Sequence, residues 1–168
     1  HITKDELNDM RFSYPLQQVG VEDKTLVKAY SDDFFAEIVY KKKTMPHAVE
    51  ALEYLSSKYN LYILSNGFRE LQEQKMRSAG VDKFFKKVVL SEDIGVHKPF
   101  PEIFYFAMSA TQSELHTSLM IGDNWKNDVV GAKDAGLGQI FYNVNKTTKI
   151  PFQPTGIIED WNEIGKIL

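Results

Sequence analysis

The chain has 168 residues, 43% hydrophobic and 26% charged, with a net charge of −3 and no cysteine. That size suits one domain with an apolar core, and the absence of a basic stripe argues against a nucleic-acid polymer as partner. Disulfides and thiolate metal sites are excluded, which fits a reducing, cytoplasmic compartment. No apolar run approaches the roughly 20 residues of a membrane span, and these residues contain no signal-peptide pattern. The chain starts at His1 rather than Met and runs straight into helical sequence, so the true N-terminus is expected elsewhere.

In chain order, the first 40 residues read as helix. "TKDE" is a capping box with Thr3 and Glu6 three apart. Leu26, Val27, Tyr30, Phe34, Phe35 and Ile38 form a helical stripe, read as a packing face. "YKKKTMP", Tyr40 to Pro46, is a polar linker. Pro46 suits a helix start, with Val49, Leu52 and Leu55 on one face. "LYIL", Leu61 to Leu64, is wholly apolar, as in a strand buried on both sides. A helix from Arg69 stops at Gly80. "KVVL", Lys87 to Leu90, is a second buried strand, and Pro101 opens a helix with Ile103, Phe104 and Ala107 inward. "SLMI", Ser118 to Ile121, is a third strand. Asn127 to Ala135 is a helix closed by Gly136. "QIFY", Gln139 to Tyr142, and "GII", Gly156 to Ile158, are further strands, before a last helix from Trp161.

Strands alternating with helices at this spacing predict right-handed βαβ units and a parallel sheet. Such sheets bind ligands at the carboxyl ends of their strands. Three strand ends carry suitable chemistry. In "LSNGF", Ser65 offers a hydroxyl, and Asn66 and Gly67 offer backbone N–H groups at a helix start, although a plain turn and helix cap reads the same. In "GVHKPFPEIF", Lys98 is held extended by Pro99 and can place a charge on a phosphate; a solvent-exposed loop lysine is the alternative. His97 beside it has no partner His or Cys nearby and reads as a surface or packing residue. In "LMIGDNWKND", Asp123 follows a glycine that admits a close ligand, and Asp128 lies in the first helical turn. Hard oxygen donors there suit Mg²⁺; a helix cap and a dipole-favoured carboxylate are the alternatives. Taken together, donors, a fixed cation and paired carboxylates are what a bound phosphate and its counter-ion need.

On these residues the chain resembles the haloacid dehalogenase-like hydrolase superfamily. "LYILSNGF" is similar to its second motif, "GVHKPFPEIF" to its third and "MIGDNWKNDVVGAKDAG" to its fourth. The resemblance is greatest to the bacterial pyrimidine 5′-nucleotidases, a branch that includes house-cleaning enzymes for noncanonical nucleotides. It implies a three-layer, doubly wound, Rossmann-like α/β fold with a helical cap. Residues 1–40 would be part of that cap and residues 41–168 the core. It also implies a Mg²⁺-dependent phosphomonoesterase working through an aspartyl-phosphate on a small phosphorylated substrate, as a monomer or homodimer. Ser65 and Lys98 would be catalytic. Ser65, the backbone of Asn66 and Gly67, and Lys98 would bind phosphate. Asp123 would bind the metal, with Asp128 supporting it directly, through water, or by holding Lys98. The metal-free dehalogenases lack this Gly-Asp, so "GDNWKND" favours a phosphatase.

One motif is absent. The family's first motif, Asp-x-Asp-x-Thr, carries the nucleophile and the acid/base on the central strand. The nearest candidate, "SDDFF" with Asp32 and Asp33, has the wrong spacing and lies in a helical stripe. The expectation is therefore a core without its first strand, part of a longer chain, and unable by itself to form the covalent intermediate. A sugar-phosphate phosphatase or phosphomutase on the same scaffold, or a non-catalytic phosphate-binding module, are the rival readings. A receiver-like signalling domain is disfavoured, because its acidic pair belongs at the first strand.

Overall fold

The computed structural model describes residues 4–168. Thr3 of the expected capping box lies outside them. Helices α1 (Lys4–Gln18) and α2 (Lys24–Ile38) pack on each other, divided by a turn at Gly20 with φ +79°. Asp23 caps α2, its carboxylate accepting from the Thr25 and Leu26 amides at 2.8 and 3.2 Å. The apolar stripe on α2 is only partly covered. Val27 is buried, Phe35 and Ile38 are half-buried, and Leu26, Tyr30 and Phe34 are exposed. The expected packing face is corrected to that extent: α1 is its main described neighbour, and one helix covers a narrow strip of another.

After the irregular stretch 41–47 come α3 (Ala48–Ser56) and β1 (Leu61–Ser65), followed by α4 (Arg69–Ala79) and β2 (Phe85–Leu90). Gly80 ends α4 with φ +68°, the left-handed backbone that glycine adopts without penalty. Then come α5 (Pro101–Thr111), opened by its proline, and β3 (Leu119–Gly122). A π-helical turn (Trp125–Val130) runs into α6 (Gly131–Asp134). β4 (Gly138–Tyr142), β5 (Gly156–Ile158) and a 3-10 helix (Trp161–Lys166) complete the chain.

All strand pairs are parallel, as the βαβ pattern requires. They form two sheets, β1-β2 and β3-β4-β5. Both contribute to the same two apolar layers. On one face α3 and the terminal 3-10 helix bring Ala51, Leu55 and Ile164 onto Ile140 and Ile158, with Leu61 and Ile121 alongside. On the other, Ile103 and Phe104 of α5 and Ala132 of α6 pack with Leu64 and Met120. Alternation of side chains along β3 sends Met120 and Ile121 to opposite faces. The result is a three-layer α/β architecture.

Two expectations need correction. The apolar run of β1 predicts burial on both sides, yet the strand is half-buried along its whole length, whereas Ile140 in β4 is fully buried. β4 has a strand on each side. β1 and β3 each keep one edge unpaired among the described residues, so they lack lateral cover. The helix expected from Asn127 instead begins at Trp125 with a π turn, in which the Val129 amide reaches back to the Asn124 carbonyl at 3.4 Å.

Candidate active site

The carboxyl ends of β1 and β3 are tied together by one side chain. Lys98 Nζ donates to the Leu64 carbonyl of β1 at 2.9 Å and to Asp128 Oδ1, just after β3, at 2.6 Å. The lysine and aspartate side chains are only 10% and 7% exposed, so this is a buried, charge-assisted pair. An ammonium has three N–H donors, and two are used here.

The lysine's backbone is held as firmly. The Asn66 side-chain amide donates to the Lys98 carbonyl at 3.0 Å and accepts from the Lys98 amide at 2.8 Å. This matched pair joins the turn after β1 to the loop after β2, across 32 residues of sequence. A second tie lies at the start of α4. Arg69 pairs with Glu73 at 3.2 Å and with Asp93, and its amide donates to Glu92 Oε1 at 3.1 Å. Its bonds to Asp93 and Glu73 push the Arg69 pKa up. Burial pushes the Asp93 carboxyl up, but the Leu90 N–H and Arg69 outweigh it and leave its pKa lowered.

Both oxygens of Asp128 have a partner, Oδ1 the Lys98 ammonium and Oδ2 the Asn124 amide at 3.0 Å. Of the supporting roles expected for it, the geometry displays the hold on Lys98. Gly122 makes this possible: a Cβ there would lie 2.4 Å from Asp128 Oδ2 and 2.5 Å from its Cβ. The glycine expected to admit a ligand admits Asp128 instead.

Ser65 ends β1. Its Oγ accepts from the Gly67 amide and from Gln72 Nε2, both at 3.0 Å. Asp123, one residue past β3, is exposed and makes no hydrogen bond or ion pair with a described residue. Burial, then the negative charges of Asp160 and Asp123, push the Tyr142 hydroxyl pKa up. His97 is exposed, in line with the surface reading. Asp32 lies within α2 rather than behind a strand, and pairs with Lys28 at 3.0 Å.

Among the described residues no group of three or more His, Asp or Glu could hold a metal ion. Asp123 nevertheless offers an uncommitted carboxylate at a strand end, the donor type a hard divalent cation takes. The arrangement thus presents a hydroxyl, one spare ammonium proton and a free carboxylate, the elements for holding a phosphoryl group. Asn66 as a clamp, Gln72 and the Arg69 cluster escape a motif reading, since nothing local to them marks a partner in another loop.

The family profile described as haloacid dehalogenase-like hydrolase matches residues 5–141. This chain belongs to that family. It is 31% identical to the HAD-hydrolase YfnB of Bacillus subtilis, over 99% of this chain and 71% of that protein. It is also 31% identical to the pyrimidine 5′-nucleotidase YjjG of Escherichia coli, over 95% and 68%. A glyceraldehyde 3-phosphate phosphatase of Methanothermobacter thermautotrophicus is 30% identical over 83% and 62%. The crystal structure of YfnB bound to magnesium superposes with a TM-score of 0.87 at 29% identity, covering 99% of this chain and 72% of that one. In doubly wound α/β folds ligands bind at the carboxyl ends of the strands, the end at which Ser65 and Asp123 stand. No helix among its described residues is long and apolar enough to cross a membrane.

Proposed function

We propose that the intact protein is a Mg²⁺-dependent phosphomonoester hydrolase acting through an aspartyl-phosphate, with nucleoside 5′-monophosphates as substrates. The observation that carries this reading is Lys98. Its ammonium is fixed by the Leu64 carbonyl and Asp128, with one donor left, beside the Ser65–Asn66 turn. A buried, oriented cation of this kind stabilises charge on a phosphoryl group without reorganising when the reaction occurs. Ser65 Oγ and the Asn66 backbone lie at the same strand end and would bind phosphoryl oxygens, whereas the Gly67 N–H expected to join them donates to Ser65 Oγ. Asp123 would hold Mg²⁺, which when bound offsets phosphate charge. Asp128 acts by keeping Lys98 in place.

The nucleophilic aspartate would belong to a strand between β1 and β3, whose unpaired edges support this placement. Residues 1–40 would form part of the cap, and residues 41–168 the core without that strand. The nucleotide substrate draws on the likeness to the pyrimidine 5′-nucleotidase. A sugar-phosphate phosphatase is the second reading, favoured by the likeness to the glyceraldehyde 3-phosphate phosphatase.

Phosphate release by the intact protein from a panel of nucleoside monophosphates and sugar phosphates tests both. Lys98→Ala should lower kcat/KM by about 100- to 1,000-fold, and EDTA should abolish turnover until Mg²⁺ is restored. An unchanged rate in Lys98→Ala, or turnover that survives EDTA, refutes the proposal. A preference for sugar phosphates selects the second reading.

A further inference from the structure

We infer that Gln72 is a positioning residue that fixes the Ser65 hydroxyl as a hydrogen-bond donor toward the bound anion. The inference rests on the phosphate-site reading above and adds a residue to it. A serine hydroxyl has one proton and two lone pairs. Here both acceptor positions are taken, by the Gly67 amide and by Gln72 Nε2, each at 3.0 Å. No described residue accepts from Ser65 Oγ, so its hydrogen is left to point away from these two donors. The unprotonated oxygens of a phosphomonoester dianion or sulfate accept only, and a hydroxyl locked as donor suits them better than one free to rotate.

The backbone is built around this contact. Gln72 stands in the second turn of α4 and reaches back seven residues to Ser65. A Cβ on residue 67 would fall 2.3 Å from Gln72 Nε2 and 3.1 Å from its Cδ. Gly67 therefore clears the path of the Gln72 amide as well as offering its own N–H. Two neighbouring features of the turn serve one hydroxyl, which a packing role for Gln72 does not account for.

The substitution that reverses the polarity is Gln72→Glu. An ionised carboxylate there accepts the Ser65 proton and turns it away from the anion. A protonated carboxyl donates to Ser65 Oγ, as the glutamine does. Gln72→Met keeps the bulk and has no donor, so it covers the case in which the glutamate variant fails to fold. Binding is read by calorimetry on the full chain. Inorganic phosphate serves for affinity, and sulfate for the pH series because its charge stays constant. At neutral pH, Gln72→Met should bind phosphate about fivefold more weakly, and Gln72→Glu more than tenfold more weakly. As the pH falls from about 7 to about 4.5, Gln72→Glu should recover sulfate affinity relative to Gln72→Met. The new carboxylate also repels the anion directly, so the deciding readout is Gln72→Met in a Ser65→Ala background: its effect on phosphate affinity vanishes if Gln72 acts through Ser65 and persists if its role is purely structural. If Ser65→Ala and Lys98→Ala weaken phosphate binding while both Gln72 variants bind like the unaltered chain, the inference is overturned and the site stands. A Gln72→Glu pH profile parallel to that of Gln72→Met overturns it too. If Ser65→Ala and Lys98→Ala bind phosphate unchanged, the phosphate-site reading itself fails.

Discussion

Asp128→Ala should be among the most damaging single changes in this chain. It leaves the Lys98 ammonium, 10% exposed, with the Leu64 carbonyl as its one described acceptor, and it deprives the Asn124 amide of its acceptor. Breaking a buried pair by removing one partner costs about 3–5 kcal/mol, because the remaining charge stays buried. For a domain of this size each kcal/mol moves Tm by roughly 2–4 °C, so the expected drop is about 6–20 °C. Against a typical total stability of about 5–15 kcal/mol, that is a large fraction. Replacing both partners by apolar side chains of similar bulk, Lys98→Met with Asp128→Leu, should restore most of the loss, since neither charge remains to be desolvated. Urea unfolding followed by fluorescence of Trp125 and Trp161 measures all variants. A loss below about 1 kcal/mol for Asp128→Ala, or a double variant as unstable as the sum of the singles, would refute the buried-pair argument.

Two further outcomes are expected. Gly122→Ala forces a methyl into Asp128, an overpacking cost of about 1–3 kcal/mol. Its relief moves Asp128 off Lys98, so adding Gly122→Ala to Asp128→Ala should cost less than it does alone; strictly additive unfolding energies would contradict this. The second concerns acid. The Asp93 pKa is lowered in the folded chain, so its contribution to stability is present above the ordinary carboxylate pKa and lost as pH falls through the depressed value. Asp160 and Glu163 are lowered too, chiefly by the Asn162 and Glu159 N–H groups respectively. The urea midpoint should therefore fall steeply below about pH 4, and Asp93→Asn should flatten that slope. Equal slopes for the two proteins would show that Asp93 does not contribute.

Features with local causes were legible in the sequence. Gly80 and Pro101 bound their helices because one tolerates a left-handed backbone and the other lacks an N–H that a helix start does not need. Ser65 and Lys98 stood out because a βαβ chain places strand ends together. What was not legible depends on neighbours distant in sequence. The apolar run of β1 reports its own side chains, not whether a strand lies on each side of it. The α2 stripe likewise says nothing of how much of it another helix covers. Asn66 looks like a turn residue until Lys98 is seen 32 positions away, and Gln72 looks like an exposed helix residue until Ser65 is in place. The close approach that Gly122 allows is made by an internal group, Asp128, which no local pattern marks.

The π turn at Trp125–Val130 makes chain length itself part of the site. The Asp128 and Val129 amides both point to the Asn124 carbonyl, so this turn holds one residue more than an α-helix would use. Deleting exposed Lys126 would place Asp128 three residues after Asn124 instead of four, an offset of about 100° around the axis wherever the turn does not rewind to absorb it. Asp128 would then swing away from Lys98 although every functional residue was still present. The interval between the two aspartates is thus a mechanical setting, and insertions or deletions there act as severely as loss of a carboxylate.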